Sequence, residues 1–314
     1  AVIGSPAHAV DTTPANDPQR DNDIVVTGAR VAQAGDQQSA SPTGLSLSLR
    51  ETPQSVTVID RQRIEDFALT NVQDLLTQTV GINVERTETD RTEFNSRGFD
   101  ITNFQRDGFG LPLPYGIQNG DVDTALYERI EVLRGANGLL SSTGNPSATA
   151  NFVRKRPGSE PAGGLRLSLG SWDQRRLDLD VGGPLNQSGS VRGRAVAAWQ
   201  DGDSHLDRYS LEKKIFYGVV EADLGPATTL AIGASHQDNT PTGNLWGALP
   251  LFFTDGTPTN YDVSTSTSAD WSYWDSSDTR AFVELTHAMA NGWTVKAAVN
   301  HEEMQEESEL FYVY

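Results

Sequence analysis

Residues 165–170 read Leu-Arg-Leu-Ser-Leu-Gly, and residues 177–182 read Leu-Asp-Leu-Asp-Val-Gly. Each stretch alternates apolar and polar residues with a period of two. Successive strand side chains point to opposite faces, so each segment has one greasy face and one wet face. The same pattern returns at 230–235 (Leu-Ala-Ile-Gly-Ala-Ser) and at 293–300 (Trp-Thr-Val-Lys-Ala-Ala-Val-Asn). Strands centred near residues 167, 179, 196, 218, 232, 284 and 297 predict an antiparallel meander. The connections are unequal. If the first strand runs outward, the segments after Asp201 and after Asp238 are long and lie on the outer side. The tight turns at 182–190, 224–228 and 290–292 lie on the other. That asymmetry is the habit of outer-membrane barrels, and a soluble sandwich has no reason to adopt it.

Composition agrees. Lys plus Arg is 24 and Asp plus Glu is 42, so the formal charge is −18. Such an excess argues against nucleic acid as a partner. Hydrophobic residues are 37% of the 314. No apolar run approaches the roughly 18 residues of a membrane helix, but barrel strands need only ~9–11 alternating residues. Cysteine is absent, which removes disulfides, zinc–cysteine sites and thiol nucleophiles. The histidines, His8, His205, His236, His287 and His301, are scattered without metal-site spacing, although His287 and His301 fall on adjacent expected strands. Neither a phosphate loop nor a nucleophile elbow is present, so an enzymatic reading has no constellation behind it.

Ahead of the meander the chain divides. Residues 1–44 read as a flexible leader. Ala7-His8-Ala9 fits either the end of an export signal or an Ala-rich terminus. Inside the leader, Asp23-Ile24-Val25-Val26-Thr27-Gly28 is a strand-forming island. It is either an edge strand of the next domain or a peptide that adds itself to a partner's sheet. Residues 45–157 read as a small α+β globule. Strands are expected at 55–59, 82–85, 94–99, 130–133 and 149–153. Asp60 is an expected cap for a short helix, Asn71 opens a second helix, and Gly81 suits a left-handed C-terminal position. Residues 162–314 carry the meander. About seven strands cannot close around a globule of this size, so the pattern reads as the N-terminal part of a longer barrel protein.

Several motifs of the globule resemble the plug domain of TonB-dependent outer-membrane receptors. They run in order: Glu51–Ile59 (ETPQSVTVI), Asn71–Leu76 (NVQDLL), Ser96-Arg97-Gly98-Phe99, Tyr127–Gly135 (YERIEVLRG), and Asn151–Pro157 (NFVRKRP). In the later part, Trp246–Pro250 (WGALP), Asp255-Gly256-Thr257 and Ala269-Asp270-Trp271 resemble the ferric-siderophore subgroup, such as coprogen, ferrioxamine and pyoverdine receptors. The resemblance implies a mainly β chain: an α+β plug domain followed by the first strands of an antiparallel transmembrane β-barrel, 22-stranded in the family. It implies an importer in the outer membrane of a Gram-negative bacterium, with no catalytic step and no cofactor, iron being carried only as the siderophore chelate. The partners it implies are a ferric siderophore, outer-membrane lipid and a TonB-type periplasmic energy-coupling protein. Asp23, Ile24, Val25, Val26 and Thr27 would be the TonB box. Glu128, Arg129, Glu131 and Arg134 would latch plug to wall, although they also read as ordinary ion pairs.

For the ligand, the resemblance points to plug apex loops and outer barrel loops. Arg97 and the 105–115 loop, with Gln105 and Tyr115, would sit at the apex, although Arg97 also reads as a structural arginine. Trp246, Trp271 and Trp274 stand out in a long loop rich in aromatics. Flat rings on a loop bury area at low entropic cost, which suits binding; a loop that packs on itself would use them too. The alternatives are an importer of cobalamin, haem or an oligosaccharide, and a secreted β-rich binding or adhesion protein.

Overall fold

A computed structural model describes residues 38–39, 47–49, 52, 54–111, 113–136 and 146–313. Asp23–Thr27 and residues 137–145 lie outside the described residues. The short strands β1 (Gln38–Ser39) and β2 (Leu47–Ser48) pair first. The globule follows: β3 (Ser55–Asp60), α1 (Arg61–Asp66), α2 (Val72–Thr77), β4 (Asn83–Arg86), β5 (Thr92–Ser96), β6 (Phe99–Asp100), β7 (Asn103–Arg106), β8 (Phe109–Gly110), β9 (Tyr127–Arg134) and β10 (Ala148–Arg154). A five-stranded sheet runs in the order β3-β9-β10-β7-β8, and β4-β5-β6 form a second, three-stranded sheet.

Local chemistry sets the helix starts. The Asp60 carboxylate accepts the Arg63 N–H at 2.9 Å, and Asn71 Oδ1 accepts the Asp74 N–H at 2.7 Å. Ile64, Val72, Leu75 and Leu76 then point inward together with Ile59, Ile130 and Val132. A run of rings, Phe94–Phe104–Phe152–Tyr127, fills the space between the sheets, with neighbouring centroids 5.2–6.3 Å apart.

The second part is one antiparallel sheet of seven strands: β11 (Ala162–Leu169), β12 (Arg175–Pro184), β13 (Val191–Asp203), β14 (Ser210–Gly225), β15 (Thr228–Thr242), β17 (Tyr273–Ala288) and β18 (Thr294–Glu309). Two short strands, β16 (Trp246–Gly247) and β19 (Tyr312–Val313), pair in parallel beyond its outer end. The two faces of the sheet are opposite in character. Leu165, Leu167, Leu179, Phe216, Ile232, Val283 and Val299 stand exposed on one face; Ile232 is 51% accessible. On the other face Arg176, Lys213, Gln237, Asn239 and Glu284 are buried, Lys213 completely. That face packs on the globule through the ion pairs described below. A sheet in water puts its apolar face on the core. This one turns it outward, as a strand wall facing lipid does.

The expected strands are all present, and β5 and β6 divide the 94–99 segment at Arg97-Gly98, where both residues have positive φ. The wall strands run further outward than the alternation suggests. β15 reaches Thr242 and β17 begins at Tyr273, so the longest connection is 243–272. Beyond the apolar band both faces of a strand are polar, and alternation no longer marks its length. His287 and His301 do not approach: His287 lies opposite Val295 and His301 opposite Ala281. One outcome tests the outward face: in a bilayer Ile232→Arg costs about 2–4 kcal/mol and lowers the yield of heat-modifiable folded protein, whereas Ile232→Leu leaves it unchanged.

Candidate functional site

At the outer end of the sheet, plug loops meet the 243–272 connection. The turn between β4 and β5 reaches up to it. Thr89 Oγ1 accepts from Asn244 Nδ2 at 3.1 Å and from the Leu245 N–H at 3.3 Å. Arg91, ion-paired with Glu88, holds its guanidinium 5.5 Å above the Trp274 ring. Trp246 meets Tyr312 edge-on at 5.6 Å, and Trp271 packs on Phe311 at 5.4 Å. From the plug, Tyr115 is fully exposed, at φ 55 inside the short 3₁₀ turn Pro114–Gly116. A left-handed non-glycine residue is strained, and such strain collects where a side chain must be presented. Just inward, Arg106, Leu113, Ile117, Arg280 and Met304 line a cavity of about 340 Å³ between plug and wall.

Of the expected ligand residues, Tyr115, Trp246, Trp271 and Trp274 lie at this end. Gln105 does not lie on a loop: it is in strand β7, 8% exposed. β7 pairs in parallel with β10 through Gln105↔Asn151, a partner too distant in sequence for local pattern to show. Arg97 is at the far end of β5, beside Gly135. Thr92, at the near end, bridges to Gln118. Five strand residues separate the two ends, on the order of 15 Å. Arg91 therefore occupies the place that the motif had suggested for Arg97. No sequence motif marks Arg91; the signal available was its position at the tip of a hairpin.

The plug meets the wall through buried charges. Arg176 grips Asp123 in a bidentate pair at 2.7 and 2.9 Å. Lys213 reaches Asp121 at 2.8 Å and Asp123 at 3.1 Å. Burial raises the Asp123 carboxyl, but the Lys213 and Arg176 charges outweigh it and hold it well below the usual carboxylate range. Nearer the inner end, Asp107 pairs with Arg154 at 2.6 Å and Arg156 at 3.2 Å, and Arg156 continues to Glu284 at 3.1 Å on the wall. Lys155 pairs with Asp180 at 2.7 Å, and Asp180 with Arg194 at 2.8 Å. The expected latch residues divide. Glu128 reaches wall residue Arg194 at 3.3 Å. Arg129 and Glu131 pair within the plug at 2.7 Å, and Arg134 bonds Ser55 and the Val80 carbonyl, also in the plug. Asp121 and Asp123, with Lys155 and Arg156, carry the wall contacts that sequence pattern did not single out.

An α+β plug fastened by ion pairs to the polar inner face of an outward-greasy strand wall defines a plugged β-barrel. Residues 48–149 match the family model for the TonB-dependent receptor plug domain. The chain belongs to the TonB-dependent receptors. It is 45% identical over 266 residues to the ferripyoverdine receptor of Pseudomonas aeruginosa, covering 83% of this chain and 33% of that protein. It is 36% identical to the ferric-pyoverdine 358 receptor of Pseudomonas putida, covering 95% of this chain and 38% of the relative. The chain thus spans about a third of the length of these relatives. Among solved structures, it matches the P. aeruginosa outer-membrane ferripyoverdine receptor bound to ferripyoverdine with TM-score 0.79 at 45% identity, covering 84% of this chain and 36% of that one. It matches the alcaligin outer-membrane receptor of Bordetella pertussis with TM-score 0.72 at 37% identity, covering 90% and 44%.

Removing one partner of a fully buried pair leaves the other charge uncompensated, so Asp123→Ala lowers stability by about 3–5 kcal/mol in denaturant melts of the complete receptor. The Asp123 carboxyl is depressed in the folded state. Its contribution is therefore present above the unfolded carboxylate range and is lost only as pH falls through the lower folded value. The melting temperature of the wild type accordingly exceeds that of Asp123→Ala by a constant margin from pH 5 to pH 8.

Proposed function

We propose that the protein is an outer-membrane importer that binds an iron–siderophore chelate at the outer junction of plug loops and wall and releases it inward when the plug is pulled. Residues 45–157 are the plug, residues 162–314 wall, and 1–44 a leader carrying a docking segment at 23–28. The observation that carries this reading is the Arg91–Trp274 stack, which joins a plug loop to the outer end of wall strand β17, next to the aromatic outer loop. A chelate is large, flat in places and rich in oxygen atoms. Rings supply area and the guanidinium supplies donors. The relatives' names, ferripyoverdine and ferric-pyoverdine receptors, favour an iron–siderophore chelate over haem, cobalamin or a sugar. Asp23–Thr27 would pair by main chain with an edge strand of a TonB-type protein, which needs extended backbone more than particular side chains.

Quenching of tryptophan fluorescence by ferripyoverdine tests the substrate. Trp274→Ala and Arg91→Ala should each weaken binding about tenfold, the effect of ~1.4 kcal/mol. Failure of ferripyoverdine to bind, with binding of a haem or cobalamin instead, would overturn the siderophore assignment. Val25→Pro removes one main-chain donor from the docking segment. It should abolish uptake of iron-labelled chelate and leave surface binding intact; equal uptake would remove the docking role.

A further inference from the structure

The plug contains a buried carboxyl that the binding and latch residues do not use. Asp90 is 5% exposed, at the tip of the β4–β5 hairpin next to Arg91. One oxygen accepts the Gly120 N–H at 3.2 Å; the other, Oδ2, is buried with no hydrogen-bond partner among the described residues. Gly120 is itself pinned. Its carbonyl accepts from Gln73 Nε2 and Gln118 Nε2, each at 3.1 Å. Its φ is +69, and a Cβ there would lie 2.6 Å from Ser276 Oγ and 2.8 Å from Asn239 Nδ2 on the wall. Gly120 is therefore held against the wall, and Asp90 is the hydrogen bond by which the Arg91 hairpin tip holds on to it.

We propose that Asp90 is a positioning residue for the outer junction of plug and wall: in its neutral form it seats the hairpin tip on Gly120 and so holds Arg91 over Trp274. This rests on that junction being the ligand site. The groups facing Asp90 explain the preference for the neutral form. Glu88 and Arg91 come from its own hairpin and Glu306 from β18, and Tyr209, from the connection before β14, feels its charge. Arg91 is engaged by Glu88. Burial, with Glu306 and Glu88, pushes the Asp90 carboxyl up to about 7, against the opposing Gly120 hydrogen bond and Arg91 charge. An acid raised on folding binds its proton more tightly in the folded state, so the seated arrangement is favoured at lower pH and weakens as pH rises through that value. Above it, an unpaired buried carboxylate facing Glu306 and Glu88 drives the tip outward.

The test uses the complete receptor in detergent, first without ligand. Wild type titrated from pH 5.5 to 8.5 should show a change in tryptophan emission with a midpoint near 7. The change should be lost in Trp274→Phe, which identifies the reporter. It should also be lost in Asp90→Asn, which keeps the acceptor for Gly120 and cannot ionise. With ferripyoverdine as probe, wild-type affinity should fall about tenfold between pH 6 and pH 8, and that of Asp90→Asn should stay at the wild-type pH 6 value. A flat wild-type emission profile, or an Asp90→Asn profile that titrates like wild type, overturns the proposal. A normal ligand-free transition without ferripyoverdine binding upholds Asp90's role and removes the substrate reading instead.

Discussion

Within the apolar band the wall strands carry their charges on the face that the plug covers. Everything else in the structure depends on compensating them there. Lys213 and Arg176 are out of water, and bare they would cost several kcal/mol each. Asp121 and Asp123 meet them, and Arg156, itself held by Asp107, does the same lower down for Glu284 and Glu221. The outward greasy face requires lipid, and the inward polar face requires the plug. Neither half of the chain satisfies its own groups alone.

An interface held by ions differs from one held by apolar side chains in how it comes apart. When water enters, each charge regains hydration, and much of the cost of separation is returned. The plug interior is of the other kind: Ile130, Val132, Leu75 and the Phe94–Phe104–Phe152 rings gain nothing from water. The physical chemistry therefore places the weaker seam at the boundary with the wall and the stronger one inside the plug. Tyr217, whose hydroxyl donates to the Lys155 carbonyl at 2.7 Å, and Arg154, stacked 3.5 Å over Phe282, add direction to that boundary without making it greasy.

Legibility in the sequence followed range. Leu165–Leu169 and Leu177–Val181 announce their strands because period-two alternation is written within a few residues. The caps at Asp60 and Asn71 are equally local. The ends of β15 and β17 were not legible, because polar residues line both faces once a strand leaves the apolar band. Gln105 and Arg97 were misplaced for a related reason. The parallel β7–β10 pairing joins segments some 46 positions apart (Asn103 to Thr149), and no local pattern encodes it. Arg176–Asp123 spans 53 positions and Arg156–Glu284 spans 128. Single charged residues look alike until the fold says which of them are neighbours.

Those long spans bear on how the molecule is made. Contacts between distant positions close large loops and slow the search for the native state. The plug is synthesised first, and its aspartates at 121 and 123 have no counter-ions until β12 and β14 arrive. Before then the hydrated carboxylates keep that surface soluble. Plug and wall therefore mature together: the aspartates of one and the cations of the other find their counter-charges only once both segments have folded against each other.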